Sequence, residues 1–196
     1  IIPRKGIELS IELLSRLNNP HLKLVISHDS GDEGHEYLEF LRKLATKKGV
    51  GLVLIGHLVQ SEASASGRPG ALFSLADLYP HADFVTFPSL YEGFGNALLE
   101  AIYFGKPLLV NRYSVFREDI EPTGLDLVCI DGSITENIVR EVASILTTPP
   151  NPDTNRKIAA DHFGYRVLRE RLSRLLQEEN GQSHSGTSPS TSSTGA

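Results

Sequence analysis

Apolar positions along the chain fall into two alternating patterns. Residues 6–17 carry Ile7, Ile11, Leu14 and Leu17 at the three-to-four-residue spacing of an amphipathic helix, whereas residues 22–27 are a short apolar run rich in branched side chains. Tyr37, Leu38, Leu41 and Leu44 predict a second helix ending near Gly49, and residues 50–56 predict the next strand. A polar loop over 60–70 leads to a short helix over 72–79 and a strand over 83–88. A further helix starts near Phe94 or Gly95. The runs "KPLLVN" (106–111) and "LDLVCI" (125–130) supply two more strands, and 135–146, 153–162 and 164–179 read as helices. Strands that are apolar throughout are buried on both faces, so the pattern predicts an α/β protein with a doubly wound parallel sheet. Ligands of such sheets bind beyond the C-terminal ends of the strands.

Composition sets the limits of this picture. With 196 residues, 40% of them hydrophobic, the chain holds enough apolar material for one sizeable core, and residues 1–180 are expected to form one domain with C-terminal helices. No internal repeat or second domain is evident. A formal net charge of -5 argues against a general nucleic-acid binder. No apolar run approaches the length of a membrane span, and the first residues lack the pattern of a signal peptide, so the expected setting is cytoplasmic. The single cysteine, Cys129, sits in an apolar strand and is expected to be a packed thiol. Residues 181–196, rich in Ser, Thr and Gly without a large apolar side chain, are expected to be a disordered tail or linker. At the other end, two isoleucines followed by Pro3, Arg4, Lys5 and Gly6, with no initiator methionine, read as the close of a strand begun upstream, and the chain is expected to be a fragment.

The candidate chemistry concentrates in residues 89–107, "SLYEGFGNALLEAIYFGKP", at the exit of the predicted strand 83–88. Glu92 lies in the loop before the helix, and Glu100 lies inside it. The first amides of the helix lack internal partners and carry the positive end of its dipole, which suits a phosphate, and Gly93 and Gly95 let the backbone approach one. Helical side chains lean toward the N-terminus, so Glu100 points back toward that mouth. The two carboxylates can therefore accept hydrogen bonds on opposite sides of a diphosphate. Acidic residues near a helix start are also common as caps and dipole partners, and that plainer reading stands beside this one. Glu100, however, interrupts the apolar "ALLEAIYF", where an acid needs a partner.

The stretch "PSLYEGFGNALLEAIYFGKPLLV" resembles the donor-binding motif of the retaining, nucleotide-sugar-dependent glycosyltransferases of the GT-B fold, family 4, also called glycosyl transferases group 1. The resemblance runs from about Lys5 to the C-terminal helix and is strongest at Glu92 and Glu100. It implies a Rossmann-like domain, one half of a GT-B fold, that moves a hexose from a nucleoside-diphosphate sugar to an acceptor hydroxyl. By resemblance Glu92 contacts the donor sugar, the backbone over Gly93, Phe94, Gly95, Asn96 and Ala97 meets sugar and diphosphate, and Glu100 binds the ribose. Lys5, the lysine of "PRKG", is implied on the diphosphate and with Glu92 forms the catalytic pair. His57 and Leu58 fall where the family places its base-binding loop. The arginine that the family adds on the diphosphate would lie upstream of Ile1, and Arg4 is a poor substitute by position.

The implied partners are the nucleotide sugar and an N-terminal acceptor domain of the same gene, without which the fragment is expected to be inactive. No cofactor or metal is implied. Within the family, "YPHADFVTFPSLYEGFGNALLEAIYF" and "VNRYSVF" resemble a subset that makes sucrose phosphate or glucosylglycerate-type solutes. Where many members carry a Gly-Gly loop, this chain has "NRYSVFRED" (111–119), so Tyr113 and Ser114 are expected to reshape the floor under the sugar. Two other readings remain open at this level: a non-catalytic nucleotide-sugar-binding module, and a GT-B-type nucleotide-sugar epimerase. The acidic and histidine-rich run "SHDSGDEGHE" (27–36) matches no metal-ligand spacing and reads as a solvated loop. His81 reads as a helix-end residue, and Arg68 and Arg112 as surface arginines.

Overall fold

The structure is a computed structural model that describes residues 1–28, 35–59 and 73–182. The expected loop 60–70 with Arg68, most of the acidic run 27–36, and all but the first two residues of the expected tail lie outside the described residues.

The helices and strands are α1 (Ile7–Leu17), β1 (Lys23–Ile26), α2 (His35–Lys48), β2 (Gly51–Leu54), α3 (Leu75–Leu78), β3 (Val85–Phe87), α4 (Asn96–Tyr103), β4 (Leu108–Asn111), β5 (Val128–Ile130), α5 (Glu136–Thr147), α6 (Pro152–Phe163) and α7 (Tyr165–Gln182). From α1 to β4 helices and strands alternate as the apolar pattern predicts, and three helices close the described chain after β5. The helix expected over 72–79 is a single α-turn, followed by a 3-10 turn over Tyr79–His81. Pro80 inside that second turn removes a backbone donor, which ends the α-helical hydrogen bonding early. His81 closes the 3-10 turn, as a helix-end residue should.

All strand pairs are parallel, but they form two ladders: β1 pairs with β2, and β4 lies between β3 and β5. β4, paired on both sides, is buried along its whole length. Among the described residues β5 pairs on one side only, with β4, and its Cys129 is half-buried rather than fully buried. Burial still pushes its thiol up to about 11, the behaviour of a packed and unreactive cysteine.

Helix α1 ties the two ladders together. Ile11 and Leu13 are two residues, about 200°, apart around the helix and are almost completely buried on opposite sides. Ile11 joins Leu24, Ile26, Leu41 and Ala45 beside β1 and β2, while Leu13 joins Leu109, Val128, Ile130 and Val142 beside β4 and β5. Ser10, buried between them, donates from its hydroxyl to Thr86 of β3 at 2.9 Å. Burial of each such aliphatic side chain is worth about 1.5–3 kcal/mol, so a helix with two apolar flanks contributes to both cores.

The described residues divide into two compact units, Ile1–Ile158 and 159–182. The first contains both ladders and every residue of the candidate site. In the second, Tyr165, Leu168, Leu172, Leu175 and Leu176 of α7 are exposed. Among the described residues no helix is long and apolar enough to cross a membrane.

Candidate functional site

The C-terminal end of β3 delivers the chain into Pro88, Ser89 and the loop toward α4. That loop is held from several sides. The buried Asn111 at the end of β4 donates through Nδ2 to the Ser89 carbonyl at 3.1 Å and accepts through Oδ1 from the Gly132 amide at 2.8 Å. Tyr113, only 3% exposed, donates its hydroxyl to the Phe94 carbonyl at 2.7 Å. Burial first, then the charge of Glu92, pushes that phenol up to about 12, so it stays a donor. The hydroxyl of Tyr113 thus braces the glycine-bracketed turn.

Gly95 is the hinge of that turn. It caps α4 with φ +86°, a left-handed conformation that a side chain resists, and an added Cβ would stand 2.9 Å from both the Phe87 ring and the Tyr113 hydroxyl. The amide of Leu98 already bonds the Gly95 carbonyl at 2.9 Å, which makes Asn96 and Ala97 the first amides of the helix mouth. The helix itself forms because Leu98, Ala101 and Ile102 share one buried face, at spacings of three and four.

Lys5 reaches this mouth from the other end of the sequence. Residues Pro3–Lys5 make a 3-10 turn that ends on Gly6, left-handed at φ +61°, where an added Cβ would fall 2.4 Å from the Pro88 carbonyl oxygen. Only glycine allows that approach. The Leu90 amide donates to the Arg4 carbonyl at 2.8 Å, and Arg4 Nη1 donates to the Tyr91 carbonyl at 3.1 Å. So clamped, Lys5 Nζ hydrogen-bonds Glu92 Oε1 and stands 5.7 Å from the Phe87 ring centroid, in cation–π range. Arg4 Nη1 lies 3.3 Å from the other oxygen, Oε2. Glu92 is 12% exposed. Burial raises its pKa, but the Lys5 hydrogen bond and charge, the Ser89 hydroxyl and Arg4 outweigh that, and the net shift is downward. Arg4, discounted on sequence position, thus belongs to this cluster.

Glu100 has a different neighbour. Tyr79 donates its hydroxyl to Glu100 Oε2 at 2.9 Å and lies 3.5 Å from the Ala97 carbonyl. Nothing in the sequence marks this pair, because 21 positions separate its members. His28, just past β1, belongs by sequence to the acidic run 27–36. Its imidazole is held below the usual range, by burial first and the charge of Lys5 second, while Glu100 pulls the other way, so it lies within the field of both.

The remaining predicted residues are less closely tied. His57 and Leu58 form a turn after β2, and among the described residues no hydrogen bond links them to either glutamate. The Leu58 amide donates to Ile55 at 2.8 Å and its carbonyl accepts from Phe73 at 3.1 Å. Arg112 is engaged with Glu121 at 2.8 Å and points to no phosphate site of its own. Among the described residues no group of three His, Cys, Asp or Glu is arranged to hold a metal. A cavity of about 330 Å³ opens at the opposite end of the ladder, among Lys106, Leu108, Asp126, Val128 and Asn155, where β4 and β5 begin. Concavity alone would direct attention there. Strand polarity and the paired carboxylates favour the other end.

The fold and this constellation define a parallel α/β domain with a carboxylate pair at the C-terminal ends of its strands. More particularly, the family model of Glycosyl transferases group 1 matches residues 67–162, and the chain carries a glycosyltransferase domain of that family. The mannosylglucosylglycerate synthase of Thermotoga maritima is 32% identical over 203 residues, covering 87% of this chain and 45% of the relative. Among solved structures, Anabaena Alr3699/HepE in complex with UDP superimposes with a TM-score of 0.69 at 20% identity, over 90% of this chain and 46% of that one. The sucrose-phosphate synthase of Thermosynechococcus elongatus gives a TM-score of 0.62 at 18% identity, over 92% and 44%. These likenesses show the fold, that of one part of a GT-B glycosyltransferase. The chain spans between about a third and a half of the length of the curated relatives it matches.

Proposed function

We propose that this chain is the donor-binding half of a retaining hexosyltransferase, which moves a hexose from a nucleoside-diphosphate sugar to an acceptor hydroxyl. The observation that carries the reading is the Lys5–Glu92 pair, brought across 87 positions of sequence to the glycine-hinged mouth of α4. Loss of a diphosphate from a sugar leaves negative charge on the departing oxygens. Lys5, Arg4 and the amides of Asn96 and Ala97 are preorganised to receive it, and such electrostatics commonly supplies a few kcal/mol per donor. Glu92 faces the sugar and Glu100 the ribose, a division of labour that positions the donor without moving a proton. His57, after β2, is assigned to the base. Acceptor binding is assigned to a part of the protein beyond this chain, which spans less than half the length of the Thermotoga maritima relative, and the chain alone should transfer nothing.

Calorimetry on the 196-residue chain with UDP and UDP-glucose, the ligands found with Alr3699/HepE, tests the reading, with GDP- and ADP-sugars as the wider panel. Glu92→Ala should remove the extra affinity for UDP-glucose and leave UDP binding unchanged or tighter, since Lys5 and Arg4 are freed for the diphosphate. Glu100→Ala should weaken both ligands together. Equal weakening of both ligands by Glu92→Ala would make Glu92 a loop brace instead.

A further inference from the structure

We propose that Tyr79 is the positioning residue for Glu100, holding one carboxylate oxygen so that the other is presented to a vicinal diol at the mouth of α4. The inference deepens the reading above and rests on it for the identity of that diol, the ribose of the donor.

The geometry is that of a strut laid along a helix. Ala97, Glu100 and Phe104 stand at i, i+3 and i+7 and so share one side of α4. Tyr79 touches all three. Its ring stacks on Phe104 with centroids 4.9 Å apart and planes 10° from parallel, and its hydroxyl meets Glu100 Oε2 at 2.9 Å with the Ala97 carbonyl at 3.5 Å. The turn that carries it is fixed independently, since Lys106 Nζ donates to the Pro80 carbonyl at 2.9 Å. A phenol has a single proton to donate, and the shorter distance assigns it to Glu100. Burial first, then the charge and hydrogen bond of Glu100, hold the phenol well above its ordinary range, so it remains a donor wherever the protein is folded.

The chemistry follows from valence. A carboxylate that chelates two adjacent hydroxyls must not rotate freely, or it loses orientational entropy on each binding event. A cationic partner would fix it too, but would also neutralise the charge that makes it a strong acceptor. A neutral phenol fixes the plane and leaves the charge. Among the described residues Oε1 of Glu100 accepts no hydrogen bond, which leaves it for a ligand.

The test compares UDP with 2′,3′-dideoxy-UDP on the parent chain, Tyr79→Phe, Glu100→Gln and the double variant. Phenylalanine preserves the stack on Phe104 and removes only the hydroxyl. Tyr79→Phe should weaken UDP by roughly three- to tenfold, the scale of one net hydrogen bond, and leave the dideoxy nucleotide unmoved. The double variant should bind UDP no more weakly than Glu100→Gln alone, because the strut has no function without the carboxylate it holds. A Tyr79→Phe chain that melts earlier yet keeps the parent's ratio of UDP to dideoxy-UDP affinity overturns the inference while leaving the ribose reading intact. A parent chain that does not distinguish the two nucleotides removes the ribose reading and the inference with it.

Discussion

Glu92 and Glu100 are the same residue type in one short stretch, yet the fold gives them opposite partners. Glu92, on a loop, is held by two cations that arrive from the N-terminal turn. Glu100, inside a helix, is held by a neutral phenol. The difference separates two ways of storing a carboxylate. On the proposed reading a charge clamp has a second use: Lys5 and Arg4 would turn from Glu92 to an incoming diphosphate and release Glu92 to a sugar. A phenol clamp has no such alternative and simply keeps the acceptor in place. On that reading one end of the site is exchangeable and the other is static.

The strongest way to break the comparison is to remove the hinge between the two ends. Gly95→Ala introduces a Cβ at φ +86° into 2.9 Å contacts, and the combined backbone strain and overpacking should cost about 2–4 kcal/mol. Denaturant melts should show that loss, with nucleotide binding lost at both ends together. A variant of parental stability would mean that Phe87 and Tyr113 yield easily.

Lys5→Ala attacks only the exchangeable end. It leaves Glu92, 12% exposed, with Arg4 as its remaining cation, and should destabilise the chain by about 1–3 kcal/mol, the range for a poorly solvated charge deprived of its hydrogen bond. Nucleoside diphosphate affinity should drop in the same variant, whereas Tyr79→Phe should spare ligands that lack the ribose hydroxyls. Calorimetry on the two variants side by side measures the contrast.

Acid provides a gentler probe. Because the folded-state pKa of Glu92 is depressed, its contribution to stability is present above the unfolded value, near 4.5, and is lost as pH falls through the folded one. The melting temperature of the parent should fall more steeply below about pH 4.5 than that of Glu92→Gln. Parallel profiles would show that the ion pair adds nothing to folding.

The smallest effects belong to the supports. Tyr113→Phe removes one hydrogen bond to Phe94 while keeping the ring, at about 1 kcal/mol in a denaturant melt. Arg4→Ala, at a partly exposed guanidinium 3.3 Å from its partner, should cost under about 1 kcal/mol of stability. If Arg4 serves the diphosphate, its loss should appear in UDP affinity more than in melting.

The chain's own residues determined the order of elements, the parallel strand class and the place of the candidate site. Helical and strand periods depend on neighbours a few positions away, and Gly95 before "NALLEAIY" marks the start of α4 without reference to anything distant. The Glu92 and Glu100 spacing is likewise local. Tertiary structure alone decided the partners. Arg4 looked misplaced in sequence because its contacts with Glu92 and Tyr91 depend on the Gly6–Pro88 approach, which no local pattern encodes. Tyr79 was invisible because contact across 21 residues is set by how α3, β3 and α4 pack. The division of the strands into two ladders bridged by α1 also needed the fold, since strand propensity specifies that a segment is extended but not which neighbour it meets. Local sequence chooses conformations, and only packing chooses which side chains face one another.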